Sequence, residues 1–282
     1  MKPYLWYFLV YAFLGWCTEV VFAAFKNGRF VNRGFLNGPV CPIYGFGIVT
    51  VLLCLRPFAG NLSALYIGSV VLTTVLELAT GFLMEKLFHQ RWWDYSNMPL
   101  NIGGYVCMLF SLVWGAACVM IVELLQPVVA KAVVLLTEPL STILLIVFSA
   151  LFLWDVILSS AKAFKLDRKL SQIDEAANAL RRISDRLGET MADGALVLKA
   201  TDAYTRDELQ AANQRARAAL EEAEKARAEL KARYLELVER MGLEHNRLLK
   251  AFPHLRSTRH PAALDAVKEK LARLRENSRK HP

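Results

Sequence analysis

A chain of 282 residues with a hydrophobic fraction of 55% is too apolar for an ordinary soluble domain, and the excess lies almost wholly before residue 164. The formal charge of +8 is equally uneven: residues 1–160 hold 8 Lys/Arg and 7 Asp/Glu, and the remainder holds 26 and 19. A single soluble domain is thereby excluded, and the composition predicts a membrane part over residues 1–164 followed by a basic, soluble, helical tail over residues 165–282.

A crossing needs about 20 mostly apolar residues. The first stretch, Tyr4–Phe25, has the look of a signal peptide, but it contains Glu19, lacks a cleavage site and is long enough to span. Further spans are expected over Cys41–Phe58, Leu62–Phe88, Ile102–Leu125 and Pro139–Phe164. The run Pro127–Leu136 is too short to span and is expected at the interface. Lys26, Arg29 and Arg33 follow the first span, Lys86 and Arg91 surround the end of the third, and Lys162, Lys165, Arg168 and Lys169 follow the fifth. The opposite set holds only Lys2, Arg56 and Lys131. The positive-inside rule then places the N-terminus outside and the tail in the cytoplasm. The fold class is all-α: a polytopic bundle of about five spans with a helical, coiled-coil-like tail.

In the tail, Leu166, Leu170, Ile173, Ala177, Leu180 and Leu187 recur at spacings of three and four, with Ser184 as a polar break. Gly188 and the segment Ala192–Tyr204 are expected to interrupt this helix. Thr205 and Glu208 form a capping-box pattern for a second one, seamed by Ala216, Leu220, Ala223, Leu230, Tyr234, Leu237 and Met241 and broken by Arg227. Pro261 can open a last short helix to about Asn277. A hairpin within one chain and a homo-oligomer through the tail both fit these seams. The basic excess predicts attraction to anionic lipid heads. No zinc-finger or RNA-module motif supports nucleic-acid binding.

Ionisable groups within spans are costly, so they are paired or functional. Glu19, Glu77, Glu85 and Asp155 are of this kind, with Glu77 near mid-membrane and the others in its inner half. Two inner loops are unusual. Arg33–Gly47 is rich in Gly and Pro and poor in charge, and irregular backbone of that kind at membrane depth must be covered by protein or line a cavity. Arg91–Gly104 carries Trp92, Trp93 and Tyr95 together with Asp94 and Asn101; this is either an aromatic belt or a hydrogen-bonded lid. The candidate pocket therefore comprises Glu19, Arg33, Asn37, Tyr44, Glu77, Glu85, Arg91, Trp93, Asp94, Tyr95 and Asn101. Glu19, Glu77, Arg33, Arg91 and Asp94 are expected to converge in one cytoplasm-facing cavity.

Cys17, Cys41, Cys54, Cys107 and Cys118 sit in or beside apolar stretches without metal-site spacing, and His245, His254, His260 and His281 are expected to be solvated. His89 is the only histidine near the membrane, which argues against a bis-histidine haem. Neither a metal nor a cofactor is signalled. There is no Walker A sequence, no G-x-S-x-G and no H-E-x-x-H, so no catalytic motif marks an enzyme and any ATP-driven step needs a separate ATPase subunit.

The segments Gly15–Glu19, Arg33–Pro39 with Cys41–Gly45, Glu77–Gly81, Trp92–Ser96, Pro99–Gly104 and Arg247–Pro253 together resemble the bacterial ABC-transporter type IV (CmpB-like) membrane proteins. The resemblance implies a permease-like membrane component in the cell membrane and leaves substrate and direction open. A membrane-embedded enzyme acting on a lipid or isoprenoid is the alternative, as is an assembly or sensing protein that works through its tail.

Overall fold

The computed structural model describes residues 1–58, 60–199 and 206–280. The chain is mostly helical and divides into two compact units. The first comprises Met1–Asp167 together with His245–Thr258; the second comprises Arg168–Glu244 and the chain from Arg259 onward. The expected boundary near residue 165 thus falls inside a helix, and a short piece of the tail belongs with the membrane part.

In the first unit, α1 (Lys2–Asn27) starts with a proline in its first turn, where the missing N–H costs nothing, and ends on Gly28 at φ 64. Helix α2 (Pro42–Cys54) is followed by a 3₁₀ turn at Arg56–Phe58, then by α3 (Leu62–Phe88), which the Asn61 side chain caps. The short strands β1 (Gln90–Arg91), β2 (Asn101–Ile102) and β3 (Val106–Cys107) organise the next loop, and α4 (Met108–Met120) leaves it. A π-turn at Ile121–Leu125 joins α4 to α5 (Gln126–Val134). Its cause is local: Pro127 has no N–H to return to the preceding turn, and one wide turn absorbs the mismatch. Helix α6 (Glu138–Lys199) then begins.

Among the described residues, four helical stretches are long and apolar enough to cross a membrane: Lys2–Lys26, Leu62–Phe88, Met108–Val134 and Glu138–Ala192. Apolar side chains such as Val21, Phe22, Ile67, Val71, Phe82, Ile146 and Leu151 stand exposed on them, as a lipid-facing surface requires. Several expectations change. The fourth stretch begins at Met108, because residues 101–107 make the β2–β3 hairpin, and Pro127–Val134 continues that helix instead of lying apart from it. The expected Cys41–Phe58 span is α-helical only over Pro42–Cys54, 13 residues, with the 3₁₀ turn at Arg56–Phe58 after it. At about 1.5 Å per residue, a helix of that length reaches only about 20 Å of a roughly 30 Å core.

The shortfall at α2 has a structural counterpart. The Cys41 N–H donates to the Ala12 carbonyl, halfway along α1. Residues 33–41 therefore run back into the bundle to mid-depth before α2 starts, in keeping with the low charge of that segment. Helices α1 and α2 pack closely because a Cβ on Gly15 would lie 2.3 Å from the Tyr44 ring, and one on Gly45 would lie 2.6 Å from the Phe8 carbonyl oxygen. Tyr11, Ile48, Val51, Leu55, Leu65, Cys118 and Val129 form the apolar core of the opposite half. There Trp6 Nε1 donates to Ser141 Oγ at 2.9 Å, Tyr11 donates to Gln126 Oε1 at 2.7 Å, and Lys2 pairs with Glu138. We call this the far end of the bundle, and the end holding residues 28–41 and 89–107 the loop end.

In the second unit, Leu170, Ile173 and Ala176 of α6, Val238 and Met241 of α7 (Arg206–Glu244), and Ala263, Leu264, Val267 and Leu271 of α9 (Pro261–Lys280) are buried. Lys169 pairs with Glu244, and His260 faces Asp174 at 3.2 Å. The helix predicted from Pro261 is present. The predicted interruption at Gly188 is not: α6 continues through it to Lys199, since one exposed glycine costs a helix only about 1 kcal/mol. The Thr205–Glu208 capping box lies outside the described residues. Ser184 and Arg227, the two polar breaks in the seams, line a cleft of about 350 Å³.

Candidate functional site

The acidic residues expected in the spans fall into three groups, all in the first unit. The first is centred on Glu19. Tyr44 donates its hydroxyl to Glu19 Oε1 at 2.7 Å, and Arg33 Nε lies 3.5 Å from Glu19 Oε2. The Arg33 guanidinium also sits 5.3 Å from the Phe22 ring centroid, and Trp114 meets the Tyr44 ring edge-on at 5.6 Å. Beside this group the Tyr95 hydroxyl faces Glu77. Burial, and after it the negative fields of Glu77, Cys107 and Glu19, push the Tyr95 hydroxyl well above its usual range, so this tyrosine senses both carboxylates. Glu77 Oε2 is buried and has no hydrogen-bond partner, and no cation pairs with Glu77 among the described residues. A buried carboxylate oxygen without a donor is costly and calls for one from water or a ligand.

The second group is a braced loop. Glu85 Oε2 accepts from Arg91 Nε at 2.6 Å and from the Tyr105 hydroxyl at 2.8 Å, while the Arg91 guanidinium lies 4.9 Å from the Tyr105 ring centroid. Trp93 Nε1 donates to the Tyr105 carbonyl at 2.8 Å. Asn101 donates to the Met98 carbonyl at 2.8 Å and accepts from Gly104 N at 3.0 Å, which fixes the turn. Gly104 has φ +76, and a Cβ there would lie 2.5 Å from Ser96 Oγ. Asp94 accepts from Ser96 N at 2.9 Å and from Arg256 at 2.7 Å.

The third group anchors the re-entrant segment. The Asp155 carboxylate accepts from Asn37 N at 3.1 Å, Asn37 Nδ2 at 2.8 Å, Gly38 N at 2.7 Å and Ser159 Oγ at 3.1 Å. Lys162 donates to Asn37 Oδ1 at 2.8 Å. The Asn32 side chain accepts from Trp16 Nε1 at 2.8 Å and donates to the Asn37 carbonyl at 2.9 Å, closing the loop on itself.

Irregular backbone and paired acids thus lie at one end of an apolar helical bundle. The family model described as Putative ABC-transporter type IV matches residues 6–160, more than half of the 282-residue chain. The chain belongs to that family. It is a membrane protein of a transporter-related family, and no curated protein and no solved structure matches it. The family match takes in all three groups up to Ser159 and stops short of Lys162 and the tail.

Glu19, Arg33, Tyr44, Glu77 and Tyr95 thus share one neighbourhood, Glu85, Arg91, Trp93, Asp94 and Asn101 form the braced loop, and Asn37 belongs with Asp155. Reasoning from sequence missed Asn32, Trp114, Tyr105 and Ser159. A hydroxyl four residues after Asp155, one helical turn on, was a readable signal for the last of these. It also gave no site role to Arg256 or to Arg247, although Arg247–Pro253 is one of the segments that carry the family resemblance; both lie more than 140 residues from their partners. The expected solvation of the tail histidines fails at His245, which is buried.

Asp94 gives a pH-dependent prediction. Burial would raise its carboxyl, but the hydrogen bonds from Ser96 and Arg256 outweigh burial and lower it from 3.8 to about 2. The folded value is the lower one, so the stabilisation is complete above the ordinary value and disappears as pH falls toward 2. Asp94→Asn should therefore flatten this part of the acid limb in a series of thermal midpoints of the detergent-solubilised protein. An unchanged acid limb would show that Asp94 does not hold its loop.

Proposed function

We propose that this chain is the permease-like membrane component of a transporter, with a polar site at the cytoplasmic end of the bundle formed by Glu19, Arg33, Tyr44, Glu77 and Tyr95. The observation that carries this reading is the buried, unpartnered Glu77 oxygen beside Tyr95. An ion pair present only to hold helices together would leave no such vacant acceptor, whereas a ligand donor would fill it. Arg33 already neutralises Glu19, so Glu77 is the acid left to select the ligand. If the chain works with ATP, a separate ATPase subunit supplies it.

The reading includes five crossings, with the N-terminus outside and the tail in the cytoplasm. Helices α1, α3 and α6 run toward the loop end, so α2 and α4–α5 run back, and the re-entrant segment 33–41 with α2 completes the second crossing. Reporter fusions at Arg29 and after Ser160 should give cytoplasmic signals, and one near Gly60 an external signal. A cytoplasmic signal near Gly60 would overturn the orientation and, with it, the cytoplasmic opening of the site. Substrate flux in proteoliposomes containing the chain and its ATPase separates this reading from turnover of a lipid by the chain alone.

A further inference from the structure

The segment His245–Thr258, distant in sequence from the membrane part, is bound across the loop end of that part by contacts of four kinds. Arg247, at the start of α8 (Asn246–Ala251), donates to the carbonyls of Gly34, Phe35 and Leu36 at 3.0, 3.0 and 3.1 Å. Strand β4 (Arg256–Ser257) pairs antiparallel with β1, with Gln90 opposite Ser257 and Arg91 opposite Arg256. Thr258 N donates to the His89 carbonyl at 3.0 Å, and Arg256 bonds Asp94. Phe252 meets Trp92 edge-on at 4.9 Å, and Trp92 in turn meets Phe35 at 5.0 Å. One segment therefore grips both irregular loops: Arg247 holds the re-entrant one beside Arg33, and Arg256 with β4 holds the aromatic one beside Tyr95.

We infer that residues 245–258 are a releasable latch over the polar site, locking the two loops together so that entry from the loop end requires Arg247 and β4 to let go. Two features make the closed state reversible. Among the described residues the half-buried Arg247 guanidinium bonds only neutral carbonyls, so no carboxylate in contact offsets the cost of burying its charge, and Asp155 acts on it only from a distance. Gln90 Oε1 and Trp92 Nε1, both under the latch, are buried without hydrogen-bond partners among the described residues, a deficit that opening to water would relieve. Both ends of the latch continue covalently into the second unit, which offers a route by which a partner bound there could act on it.

The inference takes the polar site proposed above as the thing gated. Its test reads thiol access and no transport, so either idea can fail alone. Cys41 and Cys107 are buried beside the two loops, and Cys118 is buried in the core of the far half. The full-length protein, with Cys17→Ala and Cys54→Ala, is treated with N-ethylmaleimide in detergent, and each thiol is followed by mass spectrometry. Arg247→Gln should speed labelling at Cys41 and Cys107 about 10-fold, the effect of weakening one hydrogen bond to a charged group, with Cys118 unchanged. Unchanged rates at Cys41 and Cys107 overturn the latch. A rise at all three reports general loosening, and the decision then passes to a second variant. In Gln90→Cys with Ser257→Cys, the disulfide between the introduced thiols should slow labelling at Cys41 and Cys107, and reductant should restore it. Rates indifferent to that cross-link overturn the inference.

Discussion

Glu77→Gln should leave the protein folded and strip the site of its ligand. The substitution keeps shape and one carbonyl acceptor for Tyr95 and removes the charge, so thermal stability should stay within about 1 kcal/mol of the parent. Ligand binding, and flux of whatever small molecule co-purifies with the parent, should fall about 10- to 100-fold, the equivalent of one hydrogen bond to an ionised group. Glu77→Ala should give the same loss of binding. Paired measurements of melting midpoint and ligand content decide the matter. A Gln variant that binds normally but melts far lower would make Glu77 a structural acid and remove the observation on which the transporter reading rests.

Asp155→Ala should have the opposite profile, a large loss of stability. Four donors converge on that carboxylate, two of them backbone N–H groups of the re-entrant segment with no other partner shown. Leaving them unsatisfied costs about 2–4 kcal/mol, since each hydrogen bond to a charged group is worth about 1.5–3 kcal/mol and Asp155 is only part-buried. Asp155→Asn should recover part of this, because its amide offers one acceptor oxygen but turns a second donor toward the loop. Unfolding of the solubilised variants by heat gives the ordering parent, Asn, Ala. An Ala variant as stable as the parent would show that the loop holds its depth without Asp155.

The membrane class and the special character of the two loops are legible in the amino-acid order alone, because hydrophobic run length and the cost of bare backbone in lipid are properties of local sequence. Arg33–Cys41 illustrates the gain: it has too few charges for a solvated loop and too much Gly and Pro for a helix, so protein must cover it. The same local view fails at Pro127, where it predicts a break. A π-turn inserted before the proline keeps the helix going, and only the bonding of the whole stretch reveals it. It fails again at Gly188, where one weak helix former is outvoted by its neighbours.

The candidate site divides along the same line. Sequence identifies Glu19, Glu77, Glu85 and Asp155 as acids needing partners, because the energetic penalty attaches to each residue wherever it stands in a span. It cannot assign those partners. That Arg91 serves Glu85, that Asp155 is satisfied by backbone and amide donors of the re-entrant loop, and that Glu77 keeps an oxygen with none are decisions of tertiary packing. The latch is the furthest case. Arg247 opens a tail segment that the family resemblance picks out without giving it a partner, and it bonds carbonyls 211 to 213 residues away. The sequence determined that this chain enters a membrane as helices with costly acids at one end. Which acid stays open and which segment closes over it depended on long-range contacts, since hydrogen-bond satisfaction is settled among groups that meet only when the chain is folded.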